Sequence, residues 1–402
     1  MLDRLTIERL RGGGRPLVLA LSGGGDSVAL LHLLVEALGP SGARAVIVDH
    51  GLREGSGADA ARAKAFADAL GAPAEVLTLA WPPGVNRAQQ AARGARYKAL
   101  CAFARREGLS AIVTAHTADD QAETVLMRAG AGSSWRGLAG MAPLASAPVW
   151  PEGRGMMVGR PLLGARRTAL REFLRQRSAH WIEDPANANP AYERVRVRAR
   201  LAALEQHGFD PMRLARMADR LGQHAAALDV AAFDLIAAAA VLQDDAIQIV
   251  RERWQGPRAV RLRALAVLVA AASGAARAPH AGEVEMAEAR MMEAGLSFGG
   301  VLFAPAAGGV QLTREPSAVL GRAGVSPLAA LALPEGEEVV WDGRLAIAAH
   351  EPGWRAVAAR DPGLVAFERA STRLTLRDFS AAARVSPLAQ ARIHHLLNRL
   401  TQ

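Results

Sequence analysis

Residues 22–27 read Ser-Gly-Gly-Gly-Asp-Ser, set between two apolar runs. Three glycines leave backbone N–H groups unscreened by side chains, and the start of a helix adds about half a positive charge, so the stretch suits a phosphate. Ser22 and Ser27 add hydroxyl donors on either side of Gly23, Gly24 and Gly25. Asp26 would repel a phosphate unless Mg²⁺ bridges the two, or it caps the helix start, where Asp is favoured. A Walker A loop would need a Gly-Lys-Ser/Thr run, and a dinucleotide fingerprint a third glycine three residues after Gly25, where Val28 stands. Neither is present, since Asp26 and Ser27 follow Gly25.

Two further groups carry chemistry. "VIVDHGLREGS" places Asp49, His50, Gly51 and Arg53 beyond an apolar run, and "SAIVTAHTADDQAET" places His116, Thr117, Asp119, Asp120 and Glu123 beyond another. Thr117 reads as a helix N-cap. Asp120 and Glu123, three apart, share one face of that helix and could hold Mg²⁺ beside a phosphate loop. Single acids near a helix start also complement its dipole; the set at one strand end argues for function.

These groups need strands and helices to position them. Arg15–Leu21, Ala43–Asp49, Ala74–Ala80 and Ser110–His116 read as short buried strands, and Ser27–Leu38, Gly57–Leu70, Asn86–Glu107 and Ala118–Ala129 as helices. Such alternation predicts an α/β fold, a parallel sheet with helices on both faces. Ligands bind beyond the carboxyl ends of such strands, where the polar groups lie. From about Arg200 to Gly295 the strand pattern gives way to a helical one. We expect an α/β domain over 1–205, a mainly helical domain over 206–320, and a small mixed region over 321–402.

The loop S-G-G-x-D-S resembles the pyrophosphate loop of the ATP pyrophosphatases, which cleave ATP to AMP and pyrophosphate to activate a carbonyl oxygen. "DHGLR", "HTADDQAET", "RAGAGSSWRGLAGM", "GRPLL", "NRAQQAARGARYKAL" and "WIEDPANANPAYERVRVRARL" are together similar to the tRNA(Ile)-lysidine synthetases. The likeness covers about residues 15–205. It implies an adenine nucleotide alpha hydrolase-like PP-loop domain that uses ATP and Mg²⁺ to join L-lysine to C2 of the wobble cytidine in the CAU anticodon of tRNA(Ile), through an adenylated tRNA. It assigns ATP to Ser22, Gly23, Gly24, Gly25, Asp26, Ser27, Asp49, His50 and His116, and catalysis and metal to Asp26, Asp120 and Glu123. The tRNA and substrate fall to Arg53, Arg93, Arg96, Tyr97, Arg128, Arg136, Arg160, Arg194 and Arg198. Either Asp120 or Glu123 would take the proton of the lysine ammonium. Departures from the family pattern are Gly25, where Val or Leu is frequent, Ala129 and Ala131 in the second glycine loop, and Val195, where Asn is frequent after the arginine.

Composition agrees. A net charge of +9 points towards a polyanionic partner, although lysine occurs only at Lys64 and Lys98, so the arginine excess also reflects coding bias. Cys101 is the only cysteine. That excludes internal disulfides and the cysteine pairs or clusters of tRNA thiolases, and fits a reducing cytoplasm. No glutaminase domain is recognisable to support a GMP synthetase-like activity. No apolar run approaches a membrane span, and residues 1–15 lack a signal-peptide core. Arg166–Arg177 and Glu193–Leu201 concentrate arginine for RNA contact, the second as a helix, with His180 and Trp181 as packing residues. A second copy of the chain is a candidate partner.

Overall fold

Short apolar strands alternate with helices along the first half of the chain. The computed structural model describes residues 1–12, 14–51, 55–81, 89–183, 189–291 and 295–398. The elements run α1 (Arg4–Leu10), β1 (Leu17–Ala20), α2 (Gly25–Leu38), β2 (Ala43–Asp49), α3 (Ser56–Ala69), β3 (Ala74–Thr78), α4 (Gln89–Arg106) and β4 (Ala111–Val113). They continue with α5 (Ala118–Gly130), α6 (Trp135–Leu138), β5 (Leu144–Ser146), β6 (Met157–Gly159), α7 (Arg167–Arg175), α8 (Glu193–Gln206) and α9 (Met212–Ala239). The expected strands and helices all fall within a few residues of these. The start of the expected helix Asn86–Glu107 lies outside the described residues.

The six strands pair in the order β3-β2-β1-β4-β6-β5, parallel except for β5 against β6. Period-two alternation feeds two cores. Leu17, Leu19, Ala45, Ile47 and Val113 pack on the side of α2, α3 and α7. Val18, Val46 and Ile112 pack on the side of α4, with Tyr97, Leu100, Cys101 and Phe103. Each fully buried Leu or Val is worth about 1.5–3 kcal/mol, which is why β1 and β4 are wholly apolar, while the charged Arg44 and Glu75 stand only at the starts of β2 and β3. β1 has β2 on one side and β4 on the other. The strand order reverses there, and the crevice at that switch point opens at the carboxyl ends of β1 and β4.

The chain divides into two compact units, Met1–Ala226 and Ala227–Gln402. After α9 the second holds β7 (Ala240–Leu242), β8 (Ala246–Val250), α10 (Arg258–Ser273), α11 (Ala281–Arg290), β9 (Leu296–Phe298), β10 (Val301–Ala306), β11 (Gly309–Arg314) and α12 (Pro316–Leu320). Then come β12 (Leu331–Leu333), β13 (Glu338–Trp341), β14 (Leu345–Ala349), β15 (Trp354–Ala358), β16 (Val365–Arg369), β17 (Thr372–Thr375), α13 (Leu376–Phe379), β18 (Ala383–Pro387) and α14 (Ala389–Leu396). β7 and β8 correct the reading of 200–295 as free of strands. The alanine run before them has high helix propensity and masks a hairpin in which the β-branched Ile247 and Ile249 are buried around an Asp244-Asp245 turn. These two strands join β9–β11 in an antiparallel sheet, order β7-β8-β11-β10-β9, covered by α10. Residues 319–383 surround a separate core that includes Trp341, Trp354, Phe367 and Phe379. α14 returns to the earlier core through Ile393 and Leu397. Among the described residues no helix is long and apolar enough to cross a membrane.

Candidate active site

The loop after β1 is held open by its own hydroxyls. Ser27 Oγ donates to the carbonyl of Gly24 at 2.8 Å, accepts from the Ser22 N–H at 3.3 Å, and lies 3.1 Å from Ser22 Oγ. Gly23 has φ +80°, which favours glycine. The N–H of Ile182 donates to the Gly23 carbonyl at 2.9 Å, so residues 181–183 cross over the loop. Gly24 is the N-cap of α2, and no side chain caps that helix. Its first amides therefore remain for a ligand. Asp26 lies in the first turn and makes no capping bond, which removes that alternative for it.

Beside the loop, carboxylates and arginines from four helices interlock. Thr117 and Asp120 form a capping box: Asp120 Oδ2 accepts from the Thr117 N–H at 2.8 Å and from its hydroxyl at 2.9 Å. Asp120 Oδ1 accepts from Arg167 at 2.9 Å and Arg194 at 3.0 Å. Glu123, its side chain 2% exposed, accepts from Arg194 Nε at 2.7 Å, Arg198 Nε at 2.8 Å and Arg167 at 3.4 Å. Arg167 Nε also reaches Asp26 Oδ2 at 3.2 Å, while Asp26 Oδ1 is buried without a hydrogen-bond partner. Burial raises the Asp26 carboxyl above its ordinary value, with Arg167 opposing and Asp120 adding to the rise. Burial works against the Arg167 charge, but Asp120, Glu123 and Asp26 outweigh it and raise its pKa.

A second, more basic group lies around His116. Its Nδ1 is 2.8 Å from Thr114 Oγ1, and burial together with Arg160, Arg93, Arg194 and Arg96 holds the imidazole well below its usual range. Tyr97 is fully buried, with the guanidiniums of Arg93 and Arg96 5.5 and 5.6 Å from its ring centre. The Nε atoms of Arg96 and Arg160 are buried without hydrogen-bond partners, and the charges of both guanidiniums act on Tyr97. Arg160 donates to the Ala142 carbonyl at 2.7 Å. Arg128 donates to the carbonyls of Gly137 and Gly140 at 2.8 and 2.7 Å, so it braces the second glycine loop. Arg136 turns to the Ala225 carbonyl at 3.4 Å.

The structure thus brings together Asp26, Asp120, Glu123, Arg194 and Arg198, and groups Arg93, Arg96, Tyr97 and Arg160 near His116. Asp49 and His50 lie at the end of β2, where Asp49 accepts from the Gly51 N–H at 3.0 Å. Burial, then Arg96, lowers the His50 pKa. Arg53 lies outside the described residues. Sequence reasoning missed Arg167, counted only within an arginine-rich stretch for RNA contact; its position just after the "GRPLL" strand end was the available signal.

Among the described residues no group of three His, Cys, Asp or Glu side chains is disposed to hold a metal ion. All three carboxylates on α5, Asp119, Asp120 and Glu123, are taken by arginines. Asp26 Oδ1, buried and unpartnered, is the atom that fits a cation, and Mg²⁺ often takes one protein carboxylate plus phosphate oxygens.

A family model described as PP-loop domain (ATP_bind_3) matches residues 5–205. Sheet, switch-point loop and this match together define a PP-loop domain. The tRNA(Ile)-lysidine synthase of Hyphomonas neptunium is 48% identical over 185 residues, 46% of this chain and 50% of that protein. That of Ruegeria pomeroyi is 43% identical over 217 residues, 54% of this chain and 50% of that protein. That of Methylobacterium sp. (strain 4-46) is 38% identical over 325 residues, 76% of this chain and 92% of that protein. The chain belongs to the tRNA(Ile)-lysidine synthase family. Its match spans about half the length of the first two relatives.

Proposed function

We propose that this chain ligates L-lysine to C2 of the wobble cytidine in the CAU anticodon of tRNA(Ile), consuming ATP and releasing AMP and pyrophosphate. The observation that carries the reading is one crevice holding both an uncapped glycine loop and the Asp26–Arg167–Asp120–Glu123 cluster, in a member of this family. The cytidine C2 oxygen attacks the α-phosphorus of ATP, the α–β bridge breaks, and pyrophosphate leaves. The ε-amine of lysine then attacks C2, and the oxygen departs with AMP. Loop amides, Ser22 and Ser27 would bind the phosphates, with Asp49, His50 and His116 towards the nucleoside. Mg²⁺, held by Asp26, would neutralise charge on the triphosphate. Asp120 or Glu123 would take the proton of the lysine ammonium once drawn away from its arginines. Arg93, Arg96, Arg136, Arg194, Arg198 and Arg53 would face the tRNA, with the buried Tyr97 and Arg160 and the loop-bracing Arg128 positioning them, and the cytoplasm is the compartment for it. Residues 206–320 would add tRNA contacts.

The test is AMP release by the purified chain with Mg²⁺, lysine, ATP and a CAU-bearing tRNA(Ile) transcript, leaving out one component at a time. AMP that requires the tRNA, with labelled lysine becoming RNA-bound, supports the reading. AMP without any RNA requirement transfers it to a small-molecule ligase, and no AMP at all removes it.

A further inference from the structure

Gly25 faces a cation. A Cβ built on it would sit 3.4 Å from Arg171 Nε, 3.6 Å from the guanidinium carbon and 3.5 Å from Trp181 Cδ1. These are ordinary contact distances, so alanine would touch the guanidinium, and a branched side chain such as Val would displace it. Arg171 is fixed from three directions. It projects from α7, its guanidinium stacks 5.2 Å from the Trp181 ring centre, and it pairs with Glu183. Glu183 in turn accepts from Trp181 Nε1 at 2.6 Å. The same segment is tied to the loop through the bond from Ile182 N–H to the Gly23 carbonyl. The charge of Arg171 also acts on Asp26, and Arg171 lines a cavity of about 300 Å³ with Arg167 and Arg198 and with the acids Asp119, Glu123 and Glu205.

An ion pair with a largely exposed glutamate contributes little stability, and an apolar side chain would cover Trp181 as well. What a guanidinium adds here is a planar donor against a loop suited to phosphate. We propose that Arg171 is a phosphate-binding residue of the nucleotide site, and that glycine at position 25 is what lets its guanidinium reach the loop. The proposal rests on the loop being the phosphate site for ATP. It gives Gly25 a partner: cation and missing side chain act as a pair.

The test is calorimetric binding of ATP with Mg²⁺, of inorganic pyrophosphate with Mg²⁺, and of adenosine, to the full chain and to Arg171→Leu, Arg171→Lys, Gly25→Val and the double variant Gly25→Val/Arg171→Leu. We expect Arg171→Leu to weaken ATP and pyrophosphate about tenfold and adenosine less than about twofold. Arg171→Lys keeps part of the phosphate affinity, because its charge remains. Gly25→Val shows the same pattern as Arg171→Leu, and the double variant loses no more than Gly25→Val alone. Unchanged ATP and pyrophosphate binding in Arg171→Leu overturns the proposal. So does a parallel loss of adenosine, which would mark a structural role for the side chain. Wild-type chain that binds adenosine but neither phosphate ligand overturns the reading of the loop instead, before any variant is compared.

Discussion

Arg167 Nε lies 3.2 Å from Asp26 Oδ2, joining residues 141 positions apart at the mouth of the nucleotide loop. The same guanidinium reaches Asp120 at 2.9 Å and Glu123 at 3.4 Å. Arg167→Gln leaves Asp26 without this bond, while Asp120 and Glu123 keep Arg194 and Arg198. Breaking a buried pair from one side costs about 3–5 kcal/mol. The remaining arginines lower the expected loss to about 2 kcal/mol, read as a fall in the urea midpoint. Arg167→Lys, which keeps charge but not the fork, should fall between the two. A midpoint unchanged in Arg167→Gln would mean the cluster does not hold the helices together.

Asp26 should separate activity from stability. Burial holds its carboxyl above the ordinary value of 3.8, so the folded chain grips that proton harder than the unfolded chain. Its stabilising effect is present below 3.8 and is lost as pH rises through the raised value. At pH 7 the ionised group is therefore a net cost to the fold. Asp26→Asn should melt at the same temperature as wild type or higher, while AMP formation falls about 100-fold or more. Melting curves from pH 4 to 8, taken alongside the AMP assay, decide it; a lower melting temperature at pH 7 would contradict the assignment.

What the sequence makes legible here is local. Ser22 to Ser27 are adjacent, Thr117 and Asp120 have capping-box spacing, and Asp120 and Glu123 fall on one helix face, so loop and carboxylates could be read directly. The arginine helix α8 was legible from the family resemblance together with its alanine- and leucine-rich flanks. The partners of Glu123 were not: Arg167, Arg194 and Arg198 stand 44, 71 and 75 residues away. No periodicity links them; only the packing of α5 against α7 and α8 does. β7 was hidden for the opposite reason, since its local sequence continues an alanine-rich helix and only pairing with β8 makes it a strand.

His116 should make the fold sensitive to acid. Burial and the surrounding arginines hold its imidazole well below 6.5, so the folded chain refuses a proton that the unfolded chain accepts. The stability from this group is present above 6.5 and is lost as pH falls below it towards the depressed folded value. His116→Gln removes the titration. Between pH 7.5 and 5.5, wild type should lose about 1 kcal/mol more than the variant in urea unfolding. Equal losses would show that another group governs this limb.

Gly23 and Gly24 are neighbours with opposite tolerance. Gly23 has φ +80°, and a Cβ there would lie 2.6 Å from Ile182 Cδ1 and 3.0 Å from Ala63 Cβ. Gly24 has φ −72°, and its nearest neighbour would be Ser22 Oγ at 3.7 Å. Gly23→Ala should cost about 2–3 kcal/mol, from strain and overpacking together, and should loosen the segment that covers the loop. Gly24→Ala should stay within about 0.5 kcal/mol of wild type, since its backbone angles suit any residue. Adding Ile182→Ala to Gly23→Ala distinguishes the two sources of cost. Removing the clash returns only the overpacking part, and the strain at φ +80° persists whatever Ile182 becomes. Full recovery in that double variant would show that steric contact alone, and not the left-handed backbone, requires glycine at position 23.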